Sequence, residues 1–267
     1  MKKYLSFFRI RLINGLQYRA AAWAGVVTQF TWGGLTLLMF WAFYQNGQNI
    51  FPMTFSELSS YIWLQQALLA LYMAWYFDND IFDTITSGNI SYELCRPVDI
   101  YTMWFTKNMA VRLSRALLRS MPILIVAVFL PKPFNISPPA SVLSGLLFLI
   151  SMILGFLVLI AFSMLIYIST FYTMSPLGIR ILVTSVVELL AGGIIPIPFF
   201  PQSLQTIINV LPFASMQNTP FLIYNGYFEG NDILLSMLLQ IGWVITLMLL
   251  GRVLMRKALR KVVIQGG

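Results

Sequence analysis

Few residues of this sequence have the types and spacing that catalysis or metal binding requires. The 267-residue chain contains no histidine and a single cysteine, Cys95. This excludes a Ser-His-Asp triad, the zinc sites that use histidine and a disulfide within the chain. The chain also has no Gly-Lys dipeptide, and therefore no P-loop for ATP. We predict that it is not an enzyme and that it holds no catalytic residue, no metal and no cofactor.

Glu188 is the one carboxylate that lies well inside a long apolar segment. An acid at such a position is costly to bury, and it often marks a proton or cation pathway. The alternative is that Glu188 faces a neighbouring helix or an aqueous cavity and is held by a hydrogen bond or an arginine. Glu188 is therefore a candidate substrate contact or intramembrane polar site, and the structural alternative stays open.

A second polar region, residues 78–108, has helix-capping side chains, one apolar face and a residue that stops helices. In order, these are Asp78, Asn79 and Asp80, then Ile81, Phe82 and Ile85, then Gly88. Carboxylates and amides cap a helix N-terminus, and glycine is common just after a helix end. A short, charged, amphipathic helix is suited to docking onto a soluble partner. An ordinary solvated connector is the alternative.

The composition indicates which elements must position these residues. Hydrophobic residues make up 58% of the chain and charged residues 10%, whereas soluble domains carry about 25% charged residues. The net charge is +8, but the basic residues flank apolar runs instead of forming one face. The charge therefore reflects orientation in a membrane, and we predict no nucleic-acid partner.

The uncharged runs predict an all-α integral membrane protein with six spans. We assign these spans to residues 20–44, 58–77, 109–130, 142–170, 181–196 and 233–254, because about 20 apolar residues cross a bilayer. Residues 1–19 are expected to form an interfacial helix, or a cytosolic extension of the first span. Residues 197–231, with Pro196 before them, are expected to form a re-entrant outer hairpin between spans five and six.

Arginines crowd the start of the third span, at Arg112, Arg115 and Arg119. Long arginine side chains can reach the headgroups from within a helix. We therefore expect these three residues to mark where a cytosolic helix enters the membrane. Sixteen of the 17 Lys and Arg residues fall on one side of the predicted topology, and only Lys132 falls on the other. The positive-inside rule then places both termini in the cytoplasm.

Residues 84–98, TITSGNISYELCRPV, resemble the "I…G.I…L.RP" cytosolic segment of ABC-2-type transporter permeases. The resemblance is to the six-helix branch whose members are about as long as this chain. It extends to residues 192–196, GGIIP, with Phe200-Pro201, and to residues 211–213, LPF. It also includes Pro220 and residues 224–226, YNG. The resemblance therefore covers nearly the whole chain.

The resemblance implies a permease subunit of an ATP-driven transporter in the cell membrane. Such permeases pair with a second copy or a paralogous permease, and they bind two ATP-binding subunits that hold ATP and Mg²⁺. The implied cargo is an amphipathic, peptide, drug-like or lipid-linked substrate that is exported. By the same resemblance, the residues that couple to the ATPase are Asp80, Ile81, Phe82, Asp83, Ile85, Gly88 and Arg96. The outer hairpin, or gate, would comprise Pro196, Pro198, Phe199, Phe200, Pro201 and Pro212.

Two mutations test the coupling hypothesis: Gly88→Pro and Phe82→Asp should uncouple ATP hydrolysis from transport without preventing membrane insertion. The rival interpretations are an ion-coupled secondary transporter and a regulatory membrane subunit that transports nothing. Copurification with an ATP-binding protein would favour the permease, whereas proton-driven flux without such a partner would favour the secondary transporter. In each case the chain remains in contact with membrane lipid.

Overall fold

Helices form all of the regular structure in residues 2–45, 51–173 and 175–262, which this computed structural model describes. Three helices in this part of the chain are long and apolar enough to cross a membrane: α2 (Arg19–Gln45), α8 (Val142–Thr173) and α12 (Asn231–Leu259). Their 27 to 32 residues exceed the length needed to cross about 30 Å of hydrocarbon at about 1.5 Å per residue. They contain the predicted spans 20–44, 142–170 and 233–254.

The other helices are shorter or carry more charge. They are α1 (Lys2–Leu16), α3 (Phe55–Ala67), α4 (Leu69–Tyr72), α5 (Asn79–Thr86), α6 (Ile90–Leu94), α7 (Ile100–Phe129), α9 (Leu177–Leu190), α10 (Gln202–Val210) and α11 (Asn218–Asn225), with a 3₁₀ turn at Ile197–Phe199. Helix α8 is central in the packing, since α12, α11, α5 and α7 all pack against it. Helix α1 has no buried residue and lies along α7.

The predicted second span, 58–77, is not one continuous helix. Helix α3 begins at a capping box formed by Thr54 and Glu57, and the chain leaves the helical conformation after α4 ends at Tyr72. Arg112 of α7 explains how the helix can end there. Its guanidinium donates hydrogen bonds to the carbonyls of Met73 at 2.8 Å and Tyr76 at 2.7 Å. Carbonyls at a helix end need partners of this kind when they are buried.

The expectation that Arg112 extends towards the headgroups is therefore wrong. Its side chain is fully buried, because it satisfies the carbonyls of the chain segment that follows α4. Arg115 instead stacks on Tyr76, with its guanidinium 4.0 Å from the ring centroid. Arg119 is half-buried and lies against α2, 3.5 Å from the Ala21 carbonyl.

The boundaries of two further predicted spans differ from the helices. Helix α7 begins at Ile100, well before residue 109, because Asp99 caps it by accepting a hydrogen bond from the Thr102 amide at 2.9 Å. Helix α9 has 14 residues and ends at Leu190 instead of residue 196. The chain then turns at Gly192, whose positive φ of 75° favours glycine.

Candidate functional site

The predicted cap of helix α5 is present, and its acids also bind the neighbouring helix. Asp78 Oδ1 accepts a hydrogen bond from the Asp80 amide at 3.1 Å. Lys107 of α7 places its Nζ atom 2.7 Å from Asp78 Oδ2 and 3.2 Å from Asp80 Oδ2. Since the Lys107 and Asp78 side chains are largely buried, this pair fixes the start of α5 to α7.

Ile81 and Phe82 do not face outward, contrary to the expectation that they contact a partner. Both are 2% exposed. The Phe82 ring packs against Tyr167 of α8 at a centroid distance of 4.9 Å, and the Arg180 guanidinium lies 5.1 Å from the Phe82 centroid. These two residues hold α5 in the bundle, so Phe82→Asp would disturb folding before it disturbed docking.

The outward surface of this region consists of other residues. Asp80, Asp83, Thr86, Ser87, Gly88, Asn89, Tyr92, Cys95 and Arg96 are exposed, while Ile85 is half-buried. Tyr92 is the most exposed large side chain here, at 72%. Gly88 has a φ of 76° just after α5, in agreement with its predicted position at the helix end. We call residues 80, 83, 86–89, 92, 95 and 96 the α5–α6 surface.

The segment that follows α6 is held by the N-terminal helix and by α7. Lys3 Nζ donates a hydrogen bond to the Pro97 carbonyl at 2.5 Å, and Tyr4 Oη accepts one from the Asp99 amide at 2.8 Å. Trp104 of α7 donates through Nε1 to Glu93 Oε2 at 2.7 Å. Contacts with α1, α7 and α8 therefore hold the segment that carries the α5–α6 surface.

A cleft of about 660 Å³ lies between α2, the α3–α4 segment and α9. Its polar lining comprises Thr28, Gln29, Thr36, Gln65, Gln66, Glu188 and Gln217, and its aromatic lining comprises Trp32, Tyr72 and Trp75. We call it the α2–α9 cleft. Its volume lies within the range of about 300–1,000 Å³ that is typical of small-molecule sites.

Glu188 faces this cleft. The ion pairs of the described residues are those of Lys107, so no arginine holds the Glu188 carboxylate in that part of the chain. Gln29 also lines the cleft and is 3% exposed, yet neither its Oε1 nor its Nε2 has a hydrogen-bond partner among the described residues. Gln66 Oε1 is likewise buried without a hydrogen-bond partner among those residues. Unsatisfied buried polar atoms are uncommon in proteins, and three of those found among the described residues belong to these two glutamines of the cleft.

Helix α9 connects the two regions. Near its start, Arg180 Nη1 donates a hydrogen bond to Asn79 Oδ1 of α5 at 3.1 Å, and near its end Glu188 lines the cleft. Only Val187 is buried along the whole helix. The start of α9 therefore contacts α5, and its end lines the cleft.

The segment of the predicted outer hairpin contributes Met216 and Gln217 to the lining of the cleft. Pro196, Pro198 and Pro212 are buried, Phe199 and Phe200 are half-buried, and Pro201 is exposed. Tyr61 of α3 places its hydroxyl 3.1 Å from the Gly192 carbonyl and 3.0 Å from Asn218 Oδ1. The Phe199 ring packs 5.6 Å from Phe40 of α2. The hairpin thus packs on both α2 and α3.

Glu188 is recognisable from the sequence, but its neighbours in the cleft are not. Gln29, Gln66 and Gln217 come together from separate segments, and Arg112 was assigned to the wrong environment. The available signal was the presence of glutamines inside otherwise apolar runs, since amides are costly in hydrocarbon without partners. Their convergence depends on how the helices pack, which that signal does not contain.

The fold and these two regions define an all-helical, multi-pass membrane protein. The model of the family described as "ABC-2 family transporter protein" matches residues 30–266, so the chain belongs to that family of transmembrane permease subunits. The resemblance noted from residues 84–98 is thereby confirmed. Membership implies that the chain works with ATP-binding subunits of an ABC transporter. A comparison with proteins of curated function finds no match at the level required.

Proposed function

We propose that this chain is the membrane-spanning half of an ATP-driven exporter in the cell membrane, energised by two separate ATP-binding subunits. The observation that carries the proposal is the α5–α6 surface, an exposed polar surface on a segment that contacts α1, α7 and α8. A surface that receives force from a partner must be rigidly joined to the helices it moves. The cargo would be amphipathic, drug-like, peptide or lipid-linked.

The proposed topology has six crossings with both termini in the cytoplasm. Helices α2, α8 and α12 would cross fully, and α7, with 30 residues, is long enough to cross and extend into the cytosol. The segment α3–α4 and the 14-residue α9 would complete the six. At about 1.5 Å per residue α9 spans about 21 Å, so the re-entrant hairpin after it would occupy the outer part of the membrane.

In the proposed coupling step, an ATP-binding subunit docks on the α5–α6 surface. Closure of the two ATP-binding subunits would displace α5, and three contacts would transmit this displacement. The ion pair of Lys107 would act on α7, the packing of Phe82 would act on α8, and the hydrogen bond of Arg180 would act on α9. A second permease copy, or a paralogous permease, would complete the pathway. The apolar exposed residues of α9, such as Ile181 and Leu182 at 60% and 66% exposure, would face that copy or lipid.

Cys95, the only cysteine in the sequence, allows a direct test because it lies on the α5–α6 surface. Cells that express the full chain are treated with a cysteine-directed photo-cross-linker, and captured proteins are tested for labelling by an azido-ATP. We expect Cys95 to capture an ATP-binding protein of the cytoplasmic face. Cys95 should also react with a membrane-impermeant maleimide only after the cells are opened.

The matched control is Ser203→Cys in a Cys95→Ser background. Ser203 is exposed on α10, which the proposed topology places on the outer side. It should react with the maleimide in intact cells and should capture no ATP-binding protein. Equal labelling of both cysteines in intact cells would overturn the topology, and capture only from Ser203→Cys would overturn the docking surface.

A further inference from the structure

The α2–α9 cleft has a distinctive charge. Among the described residues that line it, Glu188 is the only charged one, and none of them is Lys or Arg. A carboxylate in a partly apolar cleft is stabilised by a cation and repels an anion. This lining therefore favours a cation over an anion of the same size.

The amides of the cleft have hydrogen-bonding capacity that the chain leaves unused. Both polar atoms of the Gln29 side chain and Oε1 of Gln66 lack partners among the residues that the structure describes. The contrast is Gln240, which is fully buried but bonds to Ser151 and Ser215 at 2.9 to 3.1 Å. A buried amide without partners is destabilising, so a ligand or water that bonds to Gln29 and Gln66 would be favoured in the cleft.

The apolar part of the cleft is suited to the body of an organic cation. Trp32, Tyr72 and Trp75 line it, and the Tyr72 ring is fixed by a 2.7 Å hydrogen bond from its hydroxyl to the Met152 carbonyl. Aromatic faces attract cations as well as apolar groups. The carboxylate, the unsatisfied amides and the aromatic rings thus favour one class of ligand.

We propose that the α2–α9 cleft binds an apolar organic cation, with Glu188 as its counter-ion and Gln29 and Gln66 as hydrogen-bonding groups. This inference rests on the proposed function only in that the ligand would be the transported substrate. A cation of drug size would fit the volume of about 660 Å³. The cleft would exclude anions of the same size and shape.

Two ions of nearly identical shape and opposite charge test the proposal. Tetraphenylphosphonium and tetraphenylborate are each measured for equilibrium binding to the purified full chain in nanodiscs of a neutral lipid. We expect saturable binding of the phosphonium and no saturable binding of the borate. Glu188→Gln should weaken phosphonium binding at least tenfold, because it removes the charge with little change in side-chain volume.

The matched control is Glu229→Gln, at an exposed acid after α11 that does not line the cleft. It should bind the phosphonium as the wild-type chain does. If Glu188→Gln does not fold, Gln29→Leu gives a second test, with an expected loss of about threefold or more for a phosphonium that carries hydrogen-bond donors. Equal binding of both ions, or unchanged phosphonium binding in Glu188→Gln, would overturn the proposal.

Binding to the isolated chain needs no ATP-binding subunit, so the two proposals can fail separately. Saturable, Glu188-dependent phosphonium binding without capture of an ATP-binding protein through Cys95 would contradict the coupling proposal alone. Capture through Cys95 without charge-selective binding would contradict the cation site alone. Proton uptake by Glu188 that is coupled to flux without ATP would favour a secondary transporter and overturn the coupling proposal.

Discussion

The α5 region and the α2–α9 cleft differ in how far the chain satisfies their buried polar groups. Around α5, Lys107 pairs with Asp78, and Arg112 donates to the carbonyls of Met73 and Tyr76. In the cleft, Gln29 has no partner among the described residues, and Glu188 has no ion pair there. Polar groups that the chain satisfies by itself stabilise the fold, whereas polar groups left open are available for a ligand.

Arg112→Leu should have the largest effect on this comparison. It removes hydrogen bonds from a charged donor, each of which contributes about 1.5–3 kcal/mol, and leaves buried carbonyls without partners. We expect a loss of about 3 kcal/mol or more in stability and little folded protein in detergent. Fluorescence-detected size-exclusion chromatography over a temperature series measures this. A variant as stable as the wild-type chain would mean that the end of α4 does not depend on Arg112.

Phe82→Ala should have the next largest effect, and it distinguishes the inner side of α5 from its outer side. Truncating a buried phenylalanine costs about 3–5 kcal/mol in tightly packed cores, and the contact with Tyr167 would be lost. Asp83→Ala, one residue along on the exposed side, should change stability by about 0.5 kcal/mol or less. Thermal unfolding of the two purified variants measures the difference. Equal losses would contradict the assignment of Phe82 as the buried contact of α5.

Two glutamines give the smallest and most discriminating test. Gln240→Leu should destabilise the chain by about 1–3 kcal/mol, because Ser151 and the Ser215 carbonyl lose their partner. Gln29→Leu should be near neutral or slightly stabilising without ligand, because it removes a buried amide that has no partner. The difference in unfolding temperature between the two variants is the measurement. A larger loss for Gln29→Leu would show that its amide already has an essential partner.

The predictions that were confirmed rest on composition and local pattern. Long uncharged runs identified α2, α8 and α12, because a bilayer requires about 20 apolar residues in a row. The acids at 78–80 and Gly88 marked the ends of α5, because capping depends on residues close in sequence. Residues 84–98 indicated the family through a short motif. Six crossings, the orientation and the re-entrant hairpin stay predictions.

The failures have a common physical cause. Ile81, Phe82 and Ile85 read as one apolar face, but a periodic pattern does not say whether that face meets its own bundle or a partner. The arginine repeat on α7 suggests side chains that extend to the lipid headgroups. Arg112 instead donates hydrogen bonds to carbonyls that lie 36 to 41 residues earlier in the chain. Both errors concern contacts between segments far apart in sequence.

The sequence by itself determined that this is a helical membrane protein of the ABC-2 transporter family, without a nucleotide-binding motif and with Glu188 inside an apolar segment. Hydrophobic length, charge and short motifs are local properties, and they are sufficient for those conclusions. Only the tertiary structure decided that Phe82 faces inward, that Arg112 completes the end of α4 and that Glu188 shares a cleft with Gln29 and Gln66. The reason is that burial and hydrogen-bond satisfaction depend on which helices pack together.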